Sequence, residues 1–271
     1  MNFKHLFPSF RNRYRFVQNQ IQALSKAGRD FGRALNLGAG EGDYDRMLAA
    51  YCRELIACDI NPDDIAHAAR LNADVLNLRY EVNDALALSY PDAHFDLVVS
   101  SEVLEHVGDT ARMLAEIGRV LKPGGVAILT FPSREFPFTY DPINRLGQQL
   151  GRDEYLISQG AYAFGHTYLI RSERFRREAQ SAGLRILQWT PLSGYLIGLL
   201  EMYWTGWAQA LFKKNNRNLT QQAKGRFKIR PKDTRPPALT RITDAIIELD
   251  RSLFLREKSS VGKGVTLEKI E

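Results

Sequence analysis

Cysteine is scarce in this chain of 271 residues: there are two, Cys52 and Cys58. They lie along one candidate strand, which at about 3.3 Å per residue sets them roughly 20 Å apart. A disulfide needs Cα atoms within about 7 Å of each other. That excludes a disulfide framework, and two thiols with five scattered histidines make no zinc set. No metal is expected, and a reducing cytoplasm is the expected compartment. The stretch from Met1 to Pro8 lacks the apolar run and cleavage pattern of a secretion signal. Internal repeats and low-complexity tracts are missing too, which argues against a repeat architecture. With 44% apolar and 25% charged residues, the composition is that of an ordinary globular protein with a full core.

What is present is an alternation of strand and helix signals. A basic helix comes first, Ser9 to Lys26, with Phe10, Val17, Ile21 and Leu24 near one face. Ala34–Leu37 and Leu55–Cys58 are short buried strands. Asn61-Pro62-Asp63-Asp64 then starts a helix: Asn61 caps it, Pro62 fits its first position, and the acids suit its positive end. Phe95–Ser100 is a strand. A helix from about Thr110 carries Met113, Ile117, Val120 and Leu121 at helical spacing and stops at a turn, Lys122–Gly125. Val126–Thr130 is the next strand, Ser172–Ala182 a helix capped by Ser172 and ended by Gly183, and Leu184–Trp189 a strand. Val265–Ile270 is a final strand. Such alternation predicts an α/β fold, a largely parallel sheet covered by helices on both faces.

The most informative segment is Leu35-Asn36-Leu37-Gly38-Ala39-Gly40-Glu41-Gly42. Strand, glycine loop and helix in succession form a nucleotide pocket at the carboxyl end of a sheet. Asp59 ends the next strand about 20 residues later, where an acid accepts from ribose hydroxyls. The dinucleotide pattern requires a glycine three positions after the second one. Asp43 stands there instead, and a carboxylate opposes a pyrophosphate. Glu41 and Asp43 suit a cationic or zwitterionic ligand, which argues against a nicotinamide oxidoreductase.

In their order along the chain, five pieces resemble the class I S-adenosylmethionine-dependent methyltransferases, especially the small-molecule and quinone branch. They are Gly38–Gly42, Asp59, Asn83-Asp84-Ala85, the run Phe95 to Val107, and Arg119 to Gly125. The resemblance covers about residues 30–190. It implies a doubly wound Rossmann-like sheet of seven strands, mostly parallel, with an antiparallel last strand preceded by a helical insertion. It also implies that Gly38, Ala39, Gly40 and Gly42 run beside the methionine part of S-adenosyl-L-methionine. Asp59 then takes the ribose hydroxyls and Ile60 packs on the adenine. Asp84, next to Asn83, accepts from the adenine amino group, and the Ala85 backbone donates to the ring. Ser100 and Ser101 floor the sulfonium site. Asp96 reads as a turn partner, and Glu105-His106 as a packed helix start.

Methyl transfer from a sulfonium needs alignment above all. An oxygen acceptor also needs a base. His166 and His106 are the candidates, with Tyr140 and Asp141 as substrate-orienting residues. The implied acceptor is a small or lipid-linked molecule, methylated on a hydroxyl oxygen. An RNA methyltransferase and a non-catalytic cofactor-binding scaffold are the competing readings. The sequence has no Asn-Pro-Pro-Tyr-type motif, which argues against nucleic acid as partner. The expected organisation is an N-terminal helix (1–29), the cofactor-binding core (30–190), a helical and basic insertion (191–260) and the final core strand (261–271). In that insertion Tyr195–Phe212 is apolar except for Glu201, Thr205 and Gln209, and carries Trp204 and Trp207. Lys213, Lys214, Arg217, Lys224, Arg226, Lys228, Arg230, Lys232, Arg235 and Arg241 follow, against Asp233 alone. An aromatic apolar helix beside such a run suits an anionic membrane surface. Residues 195–241 are therefore expected to hold the protein peripherally at the inner face of a membrane. The competing readings are a lid over the acceptor, with this helix packed on a second one at Leu239–Leu255, and a basic loop that is disordered or contacts RNA.

Overall fold

The computed structural model describes residues 1–134, 146, 149–151, 169–200, 233–256, 258 and 260–270. His166, Tyr140, Asp141 and residues 201–232 of the insertion lie outside them. Seven strands form one sheet: β1 (Phe31–Leu37), β2 (Cys52–Asp59), β3 (Leu78–Val82), β4 (Phe95–Ser101), β5 (Leu121–Pro132), β6 (Leu184–Leu192) and β7 (Gly262–Lys269). Their order is β3-β2-β1-β4-β5-β7-β6. The first five are parallel, and β7 runs antiparallel to both of its neighbours. The fold is thus the expected Rossmann-like one, with the strand order reversing between β1 and β4.

The central strands are apolar on both faces because both faces are covered. Alternate residues Ala34, Leu55, Leu97, Val99, Val126 and Ile128 face one core with Phe16, Val17 and Ile21 of α1 (Pro8–Lys26) and Leu48 of α2 (Asp45–Ala49). Leu35, Ile56, Val98, Ala127 and Leu129 face the other. There they meet Met113 and Ile117 of α4 (Thr110–Val120) and Phe175 and Ala179 of α5 (Ser172–Ser181). Each fully buried Leu, Ile or Val contributes about 1.5–3 kcal/mol relative to an exposed one. Between β2 and β3, α3 (Pro62–Leu71) starts as expected, with the Asn61 side chain accepting from the Asp63 N–H.

Three local expectations are corrected. Lys122–Gly125 is not a turn ahead of the strand but a bulge inside β5. Phe95 pairs with Leu121 and Leu97 with Val126, so the intervening residues loop out, with Gly124 at φ 72°. Lys122 reaches from there to Asp96, whose other oxygen accepts from the Arg33 N–H. Ser172 is the first helical residue of α5 rather than its cap; Arg171 holds the cap position and makes no side-chain capping bond. The last strand, Gly262–Lys269, begins three residues earlier than its apolar pattern indicated and lies between β5 and β6.

The start of the apolar stretch 195–212 is partly buried. Tyr195–Leu199 forms the short helix α6, with Ile197 buried against α7 (Thr240–Leu253). Asp250 of α7 is buried, and its carboxylate accepts from the backbone N–H groups of Gly194, Leu196 and Ile197. Asp250→Ala strands those donors, and the expected loss is about 2–4 kcal/mol of stability. Asp250→Asn, which keeps one acceptor oxygen, should lose less. Thermal unfolding of both variants checks this; an unchanged melting temperature in Asp250→Ala refutes it.

Candidate functional site

The site sits where β1 and β4 part, beyond their carboxyl ends. Leu37 pairs with Cys58, which brings Gly38 beside Asp59. The N–H groups of Gly38 and Ala39 both donate to the Cys58 carbonyl, at 2.8 and 2.9 Å. Gly38, Gly40 and Gly42 have φ of 75°, 54° and 83°, left-handed backbone that side chains disfavour. At Gly38 space is also decisive: a Cβ there would lie 2.2 Å from Cγ2 of Val103.

A buried network holds this loop from beneath. Asp45, fully buried, accepts from Asn36 Nδ2 and from the Tyr80 hydroxyl, each at 2.6 Å. Asn72 donates to Tyr80 and to the Gly42 carbonyl. Burial pushes the Asp45 carboxyl up to about 6, against the pull of its Tyr80 and Asn36 hydrogen bonds.

The residues expected around a nucleoside line the same edge. Asp59 Oδ2 accepts from Gly40 N and Oδ1 from Asn61 N, both at 2.9 Å. Each oxygen retains accepting capacity. Ile60, 68% exposed, presents an uncovered apolar side chain next to it. The Asn83 amide holds its own loop, accepting from Asp84 N and Ser89 N and donating to Ser89. Asp84 is exposed and accepts from Leu86 N through one oxygen; Ala85 is buried behind it. The Ser100 hydroxyl is buried with no hydrogen-bond partner among the described residues. Ser101 is bonded to Tyr44 and Thr130 at 3.2 and 2.8 Å.

Glu102 went unnoticed in the sequence. It directly follows β4 with φ 58°, a conformation costly for a non-glycine residue and concentrated at functional sites. Its carboxylate accepts from Thr130 at 3.2 Å and lies 3.4 Å from Arg13 of α1. A narrow crevice of only about 10 Å³ lies there, bounded by Ser9, Arg13, Glu102, Pro132, Ser193 and Gly262. Glu105 is fully buried, and burial together with the Glu102 charge pushes its carboxyl well above the usual range. His106, exposed, stands 3.8 Å from the Glu105 carboxylate. A larger cavity of about 360 Å³, between α1, β6 and α7, borders none of these loop residues. Glu41 and Asp43 are bound to a cation, but an internal one: Lys4.

Residues 35–129 match the methyltransferase domain family. The chain is 36% identical over 96 residues to 2-methyl-6-phytyl-1,4-hydroquinone methyltransferase of Synechocystis sp., covering 35% of this chain and 30% of that protein. It is 40% identical over 105 residues to dimethylglycine N-methyltransferase of Parasynechococcus marenigrum, covering 37% and 38%. To ubiquinone biosynthesis O-methyltransferase of Coxiella burnetii it is 26% identical over 184 residues, covering 66% and 71%. The chain thus spans less than half the length of the first two relatives. Among solved structures, a sarcosine dimethylglycine methyltransferase from Galdieria sulphuraria superposes with a TM-score of 0.59 at 18% identity, covering 94% of this chain and 85% of that one. The [4+2]-cyclase SpnF superposes at 0.57, also at 18% identity, covering 93% and 80%.

The buried Asp45 gives the site a signature in acid. A carboxyl raised from 3.8 to about 6 contributes stability that is fully present below about 4 and lost as pH rises through 6. His5, lowered to about 4 chiefly by burial, acts oppositely: its contribution is lost as pH falls from 6.5 toward 4. Comparison with Asp45→Asn isolates the first effect. Denaturant unfolding at intervals from pH 4 to 7 should show wild type losing about 1–3 kcal/mol relative to the variant as pH rises. A constant difference refutes the assignment.

Proposed function

We propose that this chain, whose residues 35–129 belong to the methyltransferase domain family and whose fold is that of the class I enzymes, binds S-adenosyl-L-methionine and transfers its methyl group to a small or lipid-linked acceptor, at a hydroxyl oxygen. The observation that carries the reading is the left-handed loop Gly38–Gly42 set against Val103, with the Asp59 carboxylate fixed beside it by the Gly40 N–H. Where a dinucleotide fold keeps a glycine, Asp43 supplies a carboxylate, which suits a donor without phosphate. In this reading Asp59 receives the ribose hydroxyls, Ile60 covers one adenine face, Asp84 accepts from the adenine amine, and Ser100 lines the floor. When bound, the cofactor supplies an electrophilic methyl group on sulfur. Around it the protein aligns the acceptor, excludes water and removes a proton.

For the proton, His166 and His106 remain the proposed bases, with Tyr140 and Asp141 orienting the acceptor. Glu102, held by Thr130 and Arg13 at the crevice, joins them as an acceptor-side group. The oxygen acceptor is supported by the relative named as a ubiquinone biosynthesis O-methyltransferase; the hydroquinone methyltransferase supports a quinone-like acceptor without specifying the atom, and the dimethylglycine N-methyltransferase is the counter-example.

Calorimetry tests the cofactor. S-adenosylmethionine should bind stoichiometrically and NAD should not. Asp59→Ala should weaken binding by about 1.5–3 kcal/mol. Unchanged affinity in that variant would sink the ribose assignment.

A lipid-linked acceptor is supported by the outer face of α7. Leu239, Ile242, Leu249 and Leu253 are each at least half exposed and recur at helical spacing, beside Arg241 and Arg251. No helix among the described residues is long and apolar enough to cross a membrane. Docking flat on an anionic surface needs only such a stripe with cations alongside. The protein should float with anionic vesicles at low salt and release as salt rises. Leu249→Glu with Leu253→Glu should reduce flotation without lowering the melting temperature. Equal flotation of both proteins would remove α7 from the contact.

A further inference from the structure

The first residues of the chain lie over the glycine loop. Phe3–Leu6 is one 3-10 turn, capped by the Asn2 side chain, which accepts from Lys4 N at 3.1 Å. Lys4 Nζ is 2.8 Å from Glu41 Oε2 and 2.5 Å from Asp43 Oδ2. Asn2 Nδ2 donates to the other Asp43 oxygen at 2.7 Å. Both carboxylates are nearly buried, with side chains 3% and 11% exposed. Burial disfavours the Lys4 charge, but Asp43 and Glu41 together hold its ammonium pKa above the ordinary value.

Nor is the turn loosely attached. His5 is buried, with its ring edge-on to Phe10 and Tyr14 at 5.2 and 4.6 Å. Asn2 N donates to the Arg235 carbonyl at 2.7 Å, and Leu6 O accepts from Thr243 of α7. Lys4 is therefore a fixed cation, and it sits on two acids that belong to the proposed cofactor loop.

This matters because the proposed reaction changes the charge of its cofactor. The donor carries a positive sulfonium; the demethylated product, S-adenosylhomocysteine, carries a neutral thioether in its place. A loop edge with two carboxylates favours the first over the second. An ammonium placed between those carboxylates cancels half of that bias. Resting on the S-adenosylmethionine reading above, we propose that Lys4 is a specificity-determining residue of the cofactor site, setting how strongly the loop distinguishes the charged methyl donor from its neutral product. Lys4 does so through Glu41 and Asp43, without touching the cofactor. Its presence keeps product affinity close to donor affinity, so product inhibition becomes a property of the N-terminal turn.

The test is the ratio of two dissociation constants, product over donor, measured by calorimetry on the full chain. Lys4→Met preserves the length of the side chain and removes its charge. The ratio should rise about three- to tenfold, as expected for one charge acting across several ångströms of partly hydrated protein. Lys4→Arg should keep it within about twofold of wild type. Asp43→Asn removes a negative charge while leaving Lys4 in place, so it should move the ratio the other way. A general loosening of the loop weakens both ligands together and does not produce two shifts of opposite sign. If Lys4→Met fails to fold, the downward shift in Asp43→Asn decides alone. An unchanged ratio in both variants, or a shift in one direction for both, overturns the proposal while the cofactor reading stands. If neither ligand binds wild type, the cofactor reading itself fails.

Discussion

A parallel strand that ends at a ligand must turn sharply without blocking the space it opens, and in this protein the turn after β1 is held from underneath by a buried carboxyl. Asp45 receives hydrogen bonds from Asn36 on β1 and from Tyr80 on β3, and Asn72 extends the network to the Gly42 carbonyl. The loop is thereby fixed to two strands at once. Its left-handed residues are tolerated because they are glycines, and the register of β1 against β2 carries Asp59 to the same edge. Removal of water from Asp45 is unfavourable for a charge, so the network works best with a proton shared among its members. Nucleotide geometry at this edge is a consequence of that arrangement more than of any single contact.

A second organising element is electrostatic. Cations from the N-terminal fifteen residues each meet acids from a different part of the chain. Lys4 meets Glu41 and Asp43, Arg11 and Arg15 meet Asp244, Arg13 meets Glu102, and Arg15 also meets Glu248. The basic start of α1 is thus engaged internally. It joins the loop after β1, the end of β4 and α7. Exposed ion pairs contribute little to stability. These are partly shielded, and their value lies in fixing which surfaces meet.

Much of this was legible from local pattern. Buried central strands announce themselves as apolar runs, and Asn61-Pro62 announces a helix start. The glycine loop is readable because left-handed backbone restricts residue type, and Asp59 because it ends the strand beside it. Strand β3 was not readable. Leu78-Arg79-Tyr80-Glu81-Val82 is an edge strand, only partly buried, with charges at alternate positions, so no apolar run marks it. The central position of β7 was also hidden, since a strand pattern does not name its neighbours. Glu102 lay inside a recognisable segment, but its positive φ comes from the fold around it. Lys4 and Asp45 act across long separations or under burial, and neither leaves a local mark. Of the candidate site residues, those expected around a nucleoside gather at one edge, whereas Asn83 serves mainly its own loop.

The position of β7 has a consequence for biosynthesis. It leaves the ribosome after the other six strands of the sheet, yet it fills the gap between β5 and β6, whose backbones pair with it along most of its length. About 70 residues separate the end of β6 from the start of β7, and translation at about 5–20 residues per second makes them in roughly 4–14 s. Until β7 is made, β5 lacks its partner on that side and β6 lacks the strand that joins it to the sheet. Unpaired strand edges invite pairing with other chains. The emerging protein is therefore most exposed to aggregation just before its final strand arrives. Insertion of β7 covers the edge of β5 and joins β6 to the sheet in one step, leaving β3 and β6 as its borders.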